Sequence, residues 1–402
     1  MIETRFKDTE IGKIPVEWEE GELLEACSLA ANNIHSFQIK AIDYIGTENM
    51  LSNGMGVLPF EGTLSDNIRE YKECDVLISN IRPYLKKIWY APHNGGCSAD
   101  VLVFRSNNED KLNSKYLYYT LSAERFFSYL TGNSIGTKMP RGDKKSLANF
   151  IIPIPPLPEQ CRIADALSKV DSLIASLDKL IAKKQAIKRG AMQELLTGKK
   201  RLPGFQGEWK KDKIESFGEI NGGGTPNTNI KAFWTGQFPW ISSSDINEDD
   251  ISNISVSRFI TKKAIANSST ILCPSNTIHL VSRVGLGKVA YTQERVCTSQ
   301  DFCNLTINKE NDIIFLSYLL LTKMKSVAKE GQGTTIKGIS IEQIKNFVLN
   351  VPPLPEQRAI AHVLSSMDAE IAALERKRDK FRQVKQGMMQ DLLTGRIRLT
   401  DN

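Results

Sequence analysis

The sequence predicts an α/β protein: two small α/β domains joined by two long helices that pair as an antiparallel coiled coil, with pseudo-twofold symmetry. Three observations predict it. Residues 155–202 (PPLPEQCRIADALSKVDSLIASLDKLIAKKQAIKRGAMQELLTGKKRL) return without a gap as residues 352–399 (PPLPEQRAIAHVLSSMDAEIAALERKRDKFRQVKQGMMQDLLTGRIRL), at a constant offset of 197. Roughly half of the paired positions are identical, so this is an internal duplication. Each copy carries apolar residues at heptad spacing. The stretches between the copies also resemble one another, more faintly but in the same order.

The chain divides at residues 1–154, 155–202, 203–351 and 352–402 of a 402-residue total. Each half is long enough to bury its own core. In the first domain, Ile14, Pro15 and Trp18 echo Leu202, Pro203 and Trp209 at the start of the second. DVLISNIRPYLKKIWYAP (75–92) resembles TIHLVSRVGLGKVAYTQ (277–293) as an apolar strand, a basic turn and another strand. Residues 136–160 match 333–357 at the offset of the long repeat, whereas 51–67 and 249–269 diverge. Short β-branched runs at 76–79, 101–104 and 151–154, and at 278–282, 305–307 and 347–351, read as strands. Residues 114–130 and 313–329 read as helices. NGGGTP (221–226) lacks the lysine of a phosphate loop and reads as a turn.

In the first long helix, Ile163, Leu167, Val170, Ile174, Leu177 and Ile181 form a seam with alternating steps of four and three. Ile360, Leu364, Met367, Ile371 and Leu374 repeat it, with Arg378 standing where the first copy has Ile181. Pro158 and Pro355 suit the first helical turn, and Glu159 and Glu356 complement the dipole there. Gly198 and Gly395 suit C-terminal caps. Forty helical residues make a rod of about 60 Å, and a seam that long needs a partner. Antiparallel pairing of the two copies satisfies it within one chain; parallel pairing of two chains is the competing arrangement. Gly190 and Gly387, at matching interior positions, mark either a close approach of another surface or a tolerated kink.

The net charge of +6 is unevenly placed. Residues 158–202 hold ten Lys/Arg against five Asp/Glu, and 355–399 hold nine against six, which leaves the rest of the chain at −2. A basic excess on the repeated helices suits an anionic partner such as nucleic acid; a solvated helix face is the plain alternative. Seven cysteines without CxxC spacing and four scattered histidines argue for a reducing, cytoplasmic setting and against a metal site. No apolar leader and no membrane-length run is present in the sequence. GxxxxGK[ST], GxGxxG, HExxH, GxSxG, the kinase motif set and the Asn/Asp-Pro-Pro-aromatic loop are all missing, so binding is expected rather than catalysis.

PPLPEQ opening a helix that closes in ELLTGKKRL, repeated as PPLPEQ and DLLTGRIRL, resembles the specificity (S) subunit of type I restriction–modification systems. GGGTPNTNIKAFWTGQFPWISSSDI (222–246) resembles the opening of a target-recognition domain of that family, and KDTEIGKIPVEWE (7–19) its usual N-terminus. The resemblance implies a non-catalytic subunit whose two target-recognition domains each read half of a bipartite, asymmetric site on double-stranded DNA. It implies that the coiled coil sets the spacing, and that the chain binds two methyltransferase subunits and ATP-driven motor-nuclease subunits. S-adenosylmethionine, ATP and Mg would then be used by those partners, with no cofactor held by this chain and no membrane role. A coiled-coil adaptor without DNA readout and a fused methyltransferase are the other classes.

On that reading a rod of about 60 Å spans fewer than about 18 base pairs. Base readout needs paired donors or acceptors on polar turns beside strands. The candidates are Asn80, Arg82, Lys86, Lys87, Lys138 and Arg141 in the first domain, and Arg283, Lys288, Thr334, Thr335 and Lys337 in the second. Tyr84, Trp234 and Trp240 are candidates for stacking on bases or for packing in the core.

Overall fold

A computed structural model describes residues 5–331 and 338–400. The chain forms two units: residues up to Asp178 together with those from Lys377 onward, and residues Lys179–Arg376.

The first unit is built on a four-stranded antiparallel sheet in the order Cys27–Leu29, Val101–Ser106, Val76–Ser79, Ile88–Tyr90. Val76–Ser79 is buried along its whole length, which explains its continuous apolar run. A second sheet runs Asn33–His35, Asn67–Tyr71, Gly95–Cys97, Tyr44–Ile45. Glu19–Glu22 pairs with Ile151–Ile154 just before the first long helix. The expected helix over 114–130 is two helices, Ser114–Ser122 and Glu124–Gly132, because Ala123 adopts an extended conformation between them. Asn113 caps the first of the pair, accepting from Lys115 N and Tyr116 N.

The second unit repeats this frame. Its sheet is Gly218–Gly222, Phe302–Ile307, Thr277–Val281, Val289–Thr292, backed by the helix Ile313–Gly331. Its second sheet is Arg258–Ile260, Phe238–Ile241, Val296–Thr298, Leu272–Cys273. Lys210–Lys213 pairs with Val348–Val351 before the second long helix. NGGGTP is not a turn. A Cβ on Gly223 would lie 2.0 Å from Ser299 O, and one on Gly224 2.5 Å from Ser269 and Thr270 atoms. These glycines admit close backbone approach, and the Gly224 carbonyl accepts from Trp240 Nε1 and Thr270 Oγ1.

The frames differ inside the central sheet. Leu77 faces Val103 across the strands of the first unit, whereas His279 faces Asn304 in the second. His279 is fully buried, with Nδ1 2.8 Å from Asn304 Oδ1 and Nε2 3.2 Å from Thr292 Oγ1. Burial holds its pKa at about 4, below the ordinary 6.5. The unfolded chain therefore takes up a proton as pH falls through 6.5 while the folded chain does not until about pH 4. Stability is lost across that window, by about 3 kcal/mol. The double variant His279→Leu/Asn304→Val, which installs the first unit's residues, is expected to flatten the melting temperature between pH 6.5 and 4.

The long helices are Leu157–Leu195 and Leu354–Leu392. Within the first unit, the start of one lies beside the end of the other. Glu159 binds Arg398, Asp171 binds Lys385, and Asp178 binds Arg378 and Arg382. Within the second unit, Lys184 binds Glu370, Lys188 binds Asp368, and Arg201 binds Glu356. Partner numbers fall as residue numbers rise, so the helices pair antiparallel within the chain. Ile163 and Leu167 join the first unit's core alongside Trp18, Tyr116, Leu392 and Leu393. Ile360 and Leu364 join the second unit's core beside Leu195, Leu196 and Phe315, with Met367 packed against it. Val170, Ile181 and Ile371 are buried, while Ile174, Leu177 and Leu374 are half-buried. The seam thus anchors each helix to a domain core as well as to its neighbour.

The repeated end motifs close this arrangement. Glu159, 1 % exposed, accepts from Arg398 Nε and Nη2, Trp18 Nε1 and Leu399 N. Glu356 accepts from Arg201 Nε and Nη2 in the same way. Gln160 binds the backbones of Lys111, Asn113 and Pro155, and Gln357 those of Asp312 and Pro352. The Glu-Gln pair of PPLPEQ therefore fastens one helix to its domain and to the arginine tail of the other. Gly198 and Gly395 adopt φ +72° and +70°, as their cap positions require.

Among the described residues nothing lies within 4 Å of a Cβ added at Gly190 or Gly387, which removes the close-approach reading there. Gly190→Ala and Gly387→Ala are each expected to raise stability by about 1 kcal/mol, measured by chemical denaturation of the chain without partners.

Candidate nucleic-acid interface

The basic turns carry the candidate side chains. In the first unit the turn follows Val76–Ser79. Asn80 N donates to Asp100 O, Asn80 O accepts from Gly142 N, and Arg82 N donates to Pro140 O. Ile81 bridges to Arg141. These bonds bring Asn80, Arg82 and Arg141 together, with Lys138 on the same neighbouring segment. Arg82, Lys138 and Arg141 are exposed, and Arg141 is held 3.1 Å from Asp100. Asn80 is buried, its Oδ1 without a partner among the described residues. Tyr84 is half-exposed beside Arg82, whereas Trp240 is buried in the second unit against Trp234.

Three further candidates, Lys86, Lys87 and Lys288, are engaged internally. Lys86 pairs with Glu124, and Lys87 donates to Thr47 O at 2.7 Å. In the second unit Arg283 is exposed at the matching turn, and Lys288 donates to Ser243 O at 3.2 Å and Ile246 O at 3.1 Å. Ile339 N donates to Ser282 O, as Gly142 N does to Asn80 O. Thr334, Thr335 and Lys337 lie outside the described residues.

The turn of the first unit carries backbone strain. Arg82 and Lys86 adopt φ of +51° and +50°, a region that costs a side-chain-bearing residue about 1–2 kcal/mol. The second unit uses Gly287, φ +107°, at the position of Lys86. The first unit thus keeps a charged residue where glycine relieves the strain in its counterpart.

Each unit also has a groove between its domain and the long helices, formed with one of them in the first unit and with both in the second. That of the first unit, 460 Å³, is lined by Tyr118, Thr120, Lys385, Met389 and Gln390 among others. That of the second, 610 Å³, is lined by Lys188, Met192, Gln193, Leu321 and Lys325 among others. Lys188, Met192 and Gln193 are the repeat equivalents of Lys385, Met389 and Gln390, so the same helix positions line both grooves. At each groove a tyrosine, Tyr119 or Tyr318, donates to the aspartate that holds the lysine, Asp171 or Asp368. Sequence reading missed these tyrosines, which look like ordinary core aromatics. No described helix is long and apolar enough to cross a membrane.

Comparison with known proteins places these features in one family. The chain matches the family described as Type I restriction modification DNA specificity domain twice, over residues 15–189 and 206–381. It is 26% identical over 327 residues to the type I restriction enzyme MjaVIII specificity subunit of Methanocaldococcus jannaschii, covering 76% of this chain and 75% of that one. It is 28% identical over 291 residues to the EcoR124I/EcoR124II specificity subunit of Escherichia coli, covering 67% of each. Its fold is similar to that of a chain from a structure of type I R-M complex assembly (TM-score 0.60, 20% identity, 96% of this chain and 100% of that one). It is also similar to the S subunit from M. genitalium (TM-score 0.59, 15% identity, 93% and 96%). With both halves matched and both frames carrying a basic turn, the chain belongs to the type I restriction–modification DNA specificity family.

Proposed function

We propose that each domain reads one half of a bipartite, asymmetric duplex site, and that the paired helices set the distance between the halves. The observation that carries this reading is the duplicated frame, whose matching turns carry Asn80, Ile81 and Arg82 in one unit and Ser282, Arg283 and Val284 in the other. Different side chains on a common frame are what two unlike half-sites require. The two grooves, lined by equivalent helix positions, suit a partner that arrives in two copies, and we assign them to the methyltransferase subunits. S-adenosylmethionine, and the ATP and Mg of motor-nuclease subunits, belong to those partners. The chain supplies recognition and no bond-breaking chemistry, and it works in the cytoplasm.

Methylome sequencing of variants tests this. Replacing the first domain is expected to change one half-site alone. Inserting four residues after Leu180, and four at the repeat-equivalent position after Lys377 to preserve the ion-pair register, adds about 6 Å. The spacer should lengthen by one or two base pairs at about 3.4 Å each, with both half-sites intact. Altered half-sites after the insertion would overturn the ruler; methylation by the chain without partners would overturn the non-catalytic assignment.

A further inference from the structure

Lys87 and Lys288 make the same contact in both units. Ile45 and Ile241 end equivalent strands: each pairs in parallel with the strand Gly95–Cys97 or Val296–Thr298, and each carbonyl accepts from a serine, Ser98 or Ser299. Two residues beyond lie Thr47 and Ser243, whose carbonyls accept from Lys87 Nζ and Lys288 Nζ. The segment that follows is closed on itself in both units. Asn49 Oδ1 accepts from Gly46 N, and Asp245 Oδ2 accepts from Ser242 N, both at 2.7 Å. Both lysines are half-buried, and their backbone carbonyls accept from Ser79 N and Val281 N at the start of the basic turn. Each lysine therefore ties the root of the diverging segment, 51–67 or 249–269, to the turn that carries Arg82 or Arg283. The conservation of this tie between two units whose surrounding residues differ argues against an incidental surface contact.

We propose that Lys87 and Lys288 are positioning residues, each fixing one specificity segment against its reading turn, rather than phosphate contacts. This inference rests on the half-site reading above. A phosphate-binding lysine and a positioning lysine leave different signatures. Loss of a phosphate contact weakens binding to all sequences alike and lowers the salt slope by about one. Loss of a tether leaves the slope in place and blunts discrimination in one half-site.

The test uses the full chain assembled with its methyltransferase partner, bound to duplexes carrying the methylated motif or single mismatches, across 50–200 mM salt. Lys87→Met is expected to cut discrimination against mismatches in the first domain's half-site by about tenfold, with the other half-site and the salt slope unchanged. Lys288→Met should do the reverse. Lys87→Arg, which retains a donor for Thr47 O, should keep most of the discrimination and guards against a folding defect being misread. A slope reduced by about one with discrimination retained, or discrimination unchanged in both methionine variants, overturns the proposal. Failure of the unmodified complex to prefer its motif would instead overturn the half-site reading.

Discussion

Glu159→Gln is expected to lower the stability of the first unit by about 3–5 kcal/mol, the cost of breaking a buried ion pair by removing one partner. Denaturant titration gives the measurement. The carboxylate is 1 % exposed and accepts four hydrogen bonds, two of them from one guanidinium. A neutral amide of the same shape cannot balance Arg398, whose side chain is only 13% exposed. It also cannot accept from Arg398, Trp18 and Leu399 at once with one oxygen. Glu17 partly compensates, at 2.8 Å from Arg398 but largely in solvent. Glu356→Gln is expected to cost less, about 2 kcal/mol. Arg201 is 29% exposed, and Trp209 Nε1 has no partner among the described residues, so no indole bond is lost. Burial pushes the Glu159 carboxyl up, but hydrogen bonds from Arg398 and Trp18 and the Arg398 charge hold it below its ordinary 4.5. Its contribution is therefore complete above pH 4.5 and is lost as pH falls below that. The Gln variant should show a flatter acid limb.

The second large effect concerns recognition. Arg82→Ala is expected to relax discrimination in the first domain's half-site by about 10- to 100-fold, corresponding to one lost bidentate base contact of about 1–3 kcal/mol. Arg283→Ala should relax the other half-site alone. Both arginines sit on pinned turns: Arg82 N donates to Pro140 O on a flanking segment, and Arg283 O accepts from Leu286 N within its own turn, next to Ser282 O, which accepts from Ile339 N. Truncation therefore removes a side chain without releasing the turn. The readout is motif-level methylation by the assembled complex. Equal losses across both half-sites after either change would contradict independent reading.

Much of this architecture was legible because the duplication declared it. The helix seam, the Pro and Gly boundaries and the fully buried strand Val76–Ser79 follow from periodicity and local backbone chemistry. What lay hidden depends on contacts distant in sequence. Glu159 and Arg398 are 239 residues apart, and no local pattern distinguishes a first-turn acid that complements a dipole from one that anchors a buried pair. Lys87 and Lys288 read as solvent-facing because basic residues in turns usually are; their acceptors are carbonyls 40 and 45 positions away. The NGGGTP glycines read as a turn because the strand crowding them was invisible. His279 carried a signal that sequence comparison alone left unused: it stands where the other domain has Leu77.

The core of the first unit contains Leu392 and Leu393 together with Trp18 and Ile163. The second unit, by contrast, is one uninterrupted stretch, Lys179–Arg376. On the ribosome, then, the domain made first is the last to be finished. It must wait, with one flank of its interior uncovered, until the second long helix emerges, while the later domain already has every piece it needs. Chains released early should therefore fail at their N-terminal end, and proteases should find them there.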